Sequence, residues 1–427
     1  MHGFSSNGQR LLTESNFGTG RYYLFDVAGK KLLQFEGRLA EFSPNGQRVI
    51  TMLRDKDYFQ LYDAMGKKLA QLPGTVLKSP IFSQNSQRLV TFTENNAYLF
   101  NASGRQIAQM QGRFRGFGSG FDSTGHRLIL YREDPVACTL FNSSSQVIAQ
   151  LPRECMGVSP DSKKFLTQIG DWDNSLIHLY DFSGQKIAQL SGFWAVFTRD
   201  ERFILTSDFI KGDSSYLYDS TGKQIAQLQG KNGRFSSNSK RLVTVSGNTV
   251  HLYDLSGKEL ARISGNRAAF LPKGEKFVTF LFGKNKQPLD ISGGESRLFD
   301  GSGRELAFLK GDFDLTDIVM YGAGNLPPFL EDIYKRSLSF LSPDGQRFVT
   351  RDSKNSYLYD ALGKQIAKLP GLSPRFSSTG QHFFIASEGK VYVFDRSGTK
   401  LIETQGEFGA FSPDGQRIAI AAKKAIP

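Results

Sequence analysis

Phe42-Ser43-Pro44-Asn45-Gly46-Gln47-Arg48 returns almost unchanged near the other end of the chain as Phe411-Ser412-Pro413-Asp414-Gly415-Gln416-Arg417. Weaker copies start at Phe4, Phe82, Phe121, Val158, Phe197, Phe235, Phe270, Leu341 and Phe376. From Phe4 to Phe411 the successive starts lie 38, 40, 39, 37, 39, 38, 35, 71, 35 and 35 residues apart. A nearly fixed period of this length marks a repeat architecture and is read before any local signal. In the first ten copies a second block follows, such as Leu61-Tyr62-Asp63-Ala64-Met65-Gly66-Lys67 or Leu252-Tyr253-Asp254-Leu255-Ser256-Gly257-Lys258. A third comes next, such as Gln224-Ile225-Ala226-Gln227-Leu228-Gln229-Gly230, and the eleventh copy stops after its first block.

Each period reads as four short strands. The first ends at the Phe, as in Leu39-Ala40-Glu41-Phe42. The Ser-Pro-Asn/Asp-Gly turn follows, with Pro presetting φ and Gly taking the left-handed position. The second strand is of the type Arg48-Val49-Ile50-Thr51, and a polar hairpin such as Ser246-Gly247-Asn248-Thr249 leads into the third. The third ends in Leu-Tyr/Phe-Asp, whose Asp can receive backbone donors in the turn, and the fourth is Ile-Ala-Gln-Leu. A four-stranded unit of 35–40 residues cannot bury both faces alone, so its neighbours must stack on it. The fold class expected is all-β: a β-propeller of four-stranded antiparallel blades, about ten and a half repeats in one array over 1–427. One ring, two rings, or a piece of a longer signalling protein all fit the count.

Composition agrees. The chain has 427 residues, 36 of them Phe and 44 Gly, with the glycines spread along its length rather than clustered. No stretch approaches 18 consecutive apolar residues, so no transmembrane helix is expected. Met1-His2-Gly3-Phe4-Ser5 has neither a basic nor an apolar leader region, and a cytoplasmic location is expected.

The Phe-Ser-Pro-Asp-Gly-Gln-Arg block, the aromatic-Asp pair and the Gly-Lys-Gln-Ile-Ala-Gln-Leu-Gln-Gly phrase resemble WD40 repeats, particularly the bacterial, cyanobacterial-type ones. The resemblance covers nearly the whole chain and implies the propeller. It implies a function only loosely: similar arrays are linked to signalling domains as sensor or scaffold. Two departures matter. The Gly-His pair of the family is absent, since Gly37, Gly74 and Gly192 precede Arg38, Thr75 and Phe193. Tyr or Phe stands for the family Trp in all ten copies. The family's His-to-Trp hydrogen-bond network therefore cannot form, and blade stability is expected to rest on aromatic packing.

No catalytic, cofactor or metal motif emerges. His178 and His251 precede Leu-Tyr-Asp, His126 and His382 occupy turn positions, and His2 is terminal, so they read as variants of repeat positions. Cys138 and Cys155 read as buried free thiols. Asp171-Trp172-Asp173-Asn174-Ser175 and Asp312-Phe313-Asp314-Leu315-Thr316-Asp317 alternate oxygen ligands but lack the rest of a calcium loop. The net charge is +12. A basic residue opens most second strands, and Asp residues share the same turns, so a mixed rim is expected and not a nucleic-acid track. The chain is expected not to be an enzyme. The leading reading is a non-catalytic scaffold or sensor module that binds a protein. A propeller-type hydrolase or lyase with a central-channel site is the alternative. The period breaks between Phe270 and Leu341, through insertions at 283–296 and 312–339. The second is too apolar to read as disordered. It is expected either to cap the propeller or to offer a protein-binding patch anchored by Tyr321, Phe329 and Tyr334.

Overall fold

A computed structural model describes residues 3–15, 20–52, 56–75, 77–151, 154–170, 175–208, 212–271, 273–281, 295–310, 340–352 and 354–421. Among them every regular element is a strand, and no helix is long and apolar enough to cross a membrane. The fold is a β-propeller. Successive strands pair antiparallel in chain order, giving blades at 3–36, 39–73, 81–111, 113–151, 154–191, 194–229, 231–264, 267–309, 341–370 and 372–405. Nine blades are four-stranded. In the ninth, three strands are joined by an isolated bridge from Leu341 to Phe348, where its first strand belongs. Phe408–Phe411 and Ile418–Ala421 form a further two-stranded sheet.

The chain divides into two compact units. One is Met1–Ile169, Tyr180–Lys186 and Ala410–Ala419; the other is Gly170–Leu179, Ile187–Gly409 and Ile420–Pro427. Within the first unit, a methyl placed on Gly8 would lie 3.4 Å from Pro413 Cδ, so the first turns of the first and eleventh repeats are neighbours.

The two repeated turns are held as their residues require. Ser43 Oγ accepts from Arg48 N–H at 3.0 Å and donates to Asn45 Oδ1 at 2.9 Å, while Gly46 sits at φ +69°. Copies without this Gly force Ser86, Ser162, Glu201 and Ser239 to φ between 51° and 62°, a region costly to residues with a Cβ. In the other turn Asp63 Oδ1 accepts from Met65 N–H at 2.8 Å and Lys67 N–H at 2.9 Å. The same pair of bonds recurs at Asp26, Asn101, Asn142, Asp181, Asp219, Asp254, Asp300, Asp360 and Asp395. Just beyond it the fourth strand carries one extra residue, such as Ile107 between the pairs Gln106–Phe100 and Ala108–Leu99. That bulge disrupts an exposed edge that would otherwise template pairing with another chain.

Burial explains why single blades do not stand alone. Each hydrophobic cluster joins two successive blades. Ile50, Met52, Phe59, Leu61 and Leu72 of blade 2 meet Leu89 and Phe100 of blade 3. Val349, Leu358 and Leu369 of blade 9 meet Phe383, Ile385 and Phe394 of blade 10. The aromatic of the Leu-Tyr/Phe-Asp block stacks on the second strand, as Phe277 on Phe299 with centroids 5.4 Å apart.

Three repeat positions find their reason only at these seams. The basic residue opening the second strand reaches the next blade and donates to the carbonyl just after its turn Asp or Asn. Arg10, Arg48, Arg241 and Arg347 do so at Ala64, Ala102, Gly301 and Arg396 through Nε, Arg88 at Ser143 through Nη2, and Lys276 at Ala361. The turn Gly lies on the fourth-strand Ala of the preceding blade. A methyl on Gly184 would come 2.5 Å from Ala149 Cβ, and Gly104, Gly222, Gly257, Gly303 and Gly363 are tighter still against their Ala. The second-strand Thr donates back to the end of the preceding blade: Thr91 to Pro73 O at 2.5 Å, Thr206 to Ser191 O at 2.6 Å, Thr279 to Ser264 O at 3.2 Å, and likewise Thr244 to Gln229 and Thr350 to Lys310. Tyr253 and Tyr359 hydroxyls donate to the same Gln229 and Lys310 carbonyls.

These contacts correct several expectations. Aromatic packing is not alone in stabilising the seams: a Thr–Tyr–carbonyl network stands where a His-to-Trp network is absent. Of the Phe residues that end first strands, Phe121 and Phe197 are buried, whereas Phe42, Phe82, Phe235 and Phe270 are only half-buried. The thiols are not free: Cys138 and Cys155 form a disulfide with Cα atoms 5.2 Å apart. The cysteines stand 17 residues apart on neighbouring blades that the fold brings face to face.

Candidate functional site

Tyr321, Phe329 and Tyr334 lie outside the described residues, as do Asp312–Asp317, Asp171–Asn174 and most of 283–296. Each of the described histidines, His126, His178, His251 and His382, belongs to a different blade. His178 and His251 are buried on third strands, with His178 Nε2 3.1 Å from Gln189 and His251 Nδ1 2.6 Å from Glu259, itself paired with Arg262. Among the described residues no three His, Cys, Asp or Glu side chains come together as a metal site would need.

Among the described residues of the first unit, the repeat departs from its pattern where blade 4 meets blades 3 and 5. The first strand of blade 4, Arg113–Phe121, has nine residues. Arg115 pairs with Tyr131 and Gly120 with Ile129, so residues 116–119 stand opposite Leu130 alone. Ser119 Oγ closes this wide bulge by accepting from Tyr131 N–H at 2.8 Å and donating to Arg115 O at 2.5 Å. The hairpin after the second strand turns through the cis peptide Asp134–Pro135.

Around this end of the blades, opposite the repeated basic turns, lies a polar network. Arg115 Nε and Arg113 Nε approach Glu133 at 2.7 and 3.6 Å, with both arginine side chains more than half exposed. The Arg115 guanidinium lies over the Tyr131 ring, 5.6 Å from its centroid. Tyr131 OH donates to Glu154 Oε1 of blade 5 at 3.0 Å. Lys78 Nζ donates to Thr93 O at 3.2 Å, and Arg132 Nε to Asp134 O at 3.2 Å.

The charges respond to these neighbours. The Arg115 hydrogen bond holds the Glu133 carboxyl below its usual range. Burial, then the Glu154 carboxylate, push the Tyr131 phenol up to about 12. Burial also lowers the Lys78 ammonium. Tyr131 therefore stays neutral and donating at ordinary pH. The network presents guanidinium donors beside a ring, the kind of surface that anchors protein interfaces.

The signal for this surface stood in the sequence. Arg113-Phe114-Arg115-Gly116-Phe117-Gly118-Ser119-Gly120-Phe121 sets glycines at alternate positions, and strand-interior glycines mark bulges. The period hid it. Blade 4 starts straight after Gly112, whereas blade 3 is preceded by the connection 74–80, so the interval stayed ordinary.

No known protein family matches the chain, and no curated protein is similar to it. Among solved structures it is similar to one described as "Crystal structure of the eukaryotic initiation factor". The TM-score is 0.51 at 13% identity, over 93% of this chain and 96% of that one. At such identity the likeness shows the fold alone. It is also similar to "Dihydro-heme d1 dehydrogenase NirN in complex with DHE", with TM-score 0.40 and 16% identity over 72% of this chain and 74% of that one. That likeness is too slight to bear on function.

Proposed function

We propose that this chain is a non-catalytic β-propeller that acts as a protein-interaction scaffold or sensor, built of WD40-like repeats of the bacterial type. One observation carries the reading: the recurrent basic and Thr side chains of the second strand bond across the seams, while the irregular end of blades 3–5 presents two exposed arginines beside a carboxylate. A repeat whose recurrent polar groups hold blades together leaves recognition to the positions that depart from it. The partner is a protein; neither nucleic acid nor a membrane belongs to this reading.

A cytoplasmic location is compatible with it if the Cys138–Cys155 bond is transient there, since cytosolic thiols are kept reduced. The test is affinity capture by the full chain carrying Arg113→Glu and Arg115→Glu, beside a control carrying Arg202→Glu on blade 6. A partner lost with the first and retained with the second supports the reading. Equal capture by both sinks this surface.

A further inference from the structure

In two seams of the second unit a serine of the third strand bonds the glycine that joins its blade to the next. Ser215 Oγ donates to Gly230 O at 2.8 Å, and Ser356 Oγ to Gly371 O at 2.8 Å. Cys138 occupies the same position, three residues before the aromatic of the Leu-aromatic-Asp/Asn block. Its link to blade 5 is covalent. The two ends of that link differ. Cys138 is fully buried beside Ile129, Leu140, Phe165 and Tyr180, whereas Cys155 is half-buried at the rim of that cluster.

The seam has other ties. Tyr131 donates to Glu154, Arg127 Nη1 donates to Ser162 O at 3.2 Å and covers the Phe182 ring, and Ser123 N–H donates to Ser162 Oγ at 2.8 Å. Cleavage of the disulfide would therefore leave the blades apposed and both sulfurs in place to rejoin.

We infer that Cys138–Cys155 is a thiol–disulfide exchange site, opened at Cys155, that sets how firmly blades 4 and 5 are joined. A thiolate of an external dithiol attacks Cys155 Sγ. The sulfur–sulfur electron pair leaves on Cys138 Sγ, which takes a proton. The second thiol of the reagent then attacks the mixed disulfide, releasing Cys155 as a thiol and the reagent as a cyclic disulfide. Two electrons pass from dithiol to protein, and an oxidised glutathione-type disulfide reverses the step. Attack falls on Cys155 because a buried sulfur is screened from the incoming thiolate while an accessible one is the labile end. Glu154, the acceptor for Tyr131 in the candidate surface, is the adjacent residue, so exchange acts on that surface directly.

The test uses the full chain purified without reductant. Thiols are counted in native buffer before and after dithiothreitol, and then after oxidised glutathione, with alkylation mapped by peptide mass and backbone hydrogen exchange followed in parallel. The expected result is reversible opening without denaturant, with Cys155 alkylated about tenfold or more faster than Cys138. Exchange should rise in 136–141 and 154–158 while the strand spectrum is unchanged. Cys138→Ser should leave a Cys155 that takes up glutathione as a mixed disulfide. Reduction only in denaturant, thiols that oxidised glutathione never closes, faster labelling of Cys138, or no adduct on Cys138→Ser would each overturn the inference.

Discussion

Blades 7 and 4 come from one repeat, yet they meet the following blade differently. At the seam of blades 7 and 8, Arg241 donates to Gly301 O at 3.0 Å, Thr279 to Ser264 O, and Gly303 lies on Ala261. The cluster of Val243, Val250, Leu252, Ile263, Ala268, Phe277 and Phe299 fills the space between. At the seam of blades 4 and 5, Gly184 still lies on Ala149, but Thr167 finds no hydroxyl partner among the described residues. The disulfide and the Tyr131–Glu154 bond stand in that region. The regular seam is closed by backbone carbonyls, which every repeat supplies whatever its side chains. The irregular one keeps one such bond, Arg127 to Ser162 O, and adds particular side chains, the disulfide and the Tyr131–Glu154 pair.

The largest effect expected is in the regular seam. Phe277→Ala, fully buried and stacked on Phe299, should cost about 3–5 kcal/mol in denaturant unfolding. Phe235→Ala, half-buried, should cost clearly less; equal losses would break the assignment of first-strand Phe to the seam rim. Next, Gly257→Ala should cost about 2 kcal/mol, since the new methyl meets Ala226 and φ is +85°. A neutral outcome would mean neighbouring blades can slide apart.

Arg241→Met should lose about 1.5 kcal/mol, the worth of a charge-assisted bond. Arg202→Met should stay within about 0.5 kcal/mol, because Arg202 pairs with Asp200 of its own turn at 2.8 Å. Similar losses at both would show that the bond across the seam contributes nothing. In the irregular blade the sign reverses. Ser145 holds the turn-Gly position at φ +63° with its hydroxyl buried and without a partner among the described residues, so Ser145→Gly should raise stability by about 1 kcal/mol.

The smallest effect is electrostatic. The Tyr131 pKa is raised in the fold, so its contribution is complete below about pH 10 and is lost as pH rises through about 12. Absorbance titration should show late phenol steps, from which Tyr131→Phe removes one group near pH 12. An unchanged late amplitude in that variant would show that the Tyr131 phenol is not among the raised ones.

What the sequence alone determined is local. Strands, both turns, the Asp cap and the absence of helix from the described residues all follow from residues within a single period. Their geometry depends on φ preferences and side-chain-to-backbone bonds spanning two to five positions. The interior faces were legible too, because alternation along a strand sorts them.

Tertiary structure decided why Arg, Ala, Gly and Thr recur at fixed places, since each acts on a residue of another blade, as Arg48 does on Ala102 across 54 positions. It decided that Cys138 and Cys155 meet, which spacing alone cannot tell. It also placed Arg113, Arg115, Tyr131, Glu133 and Glu154 together. The reason is the same in each case. A blade is specified by short-range preferences, but its contacts are set by how two twisted sheets stack, and stacking is a property of pairs of blades rather than of one repeat.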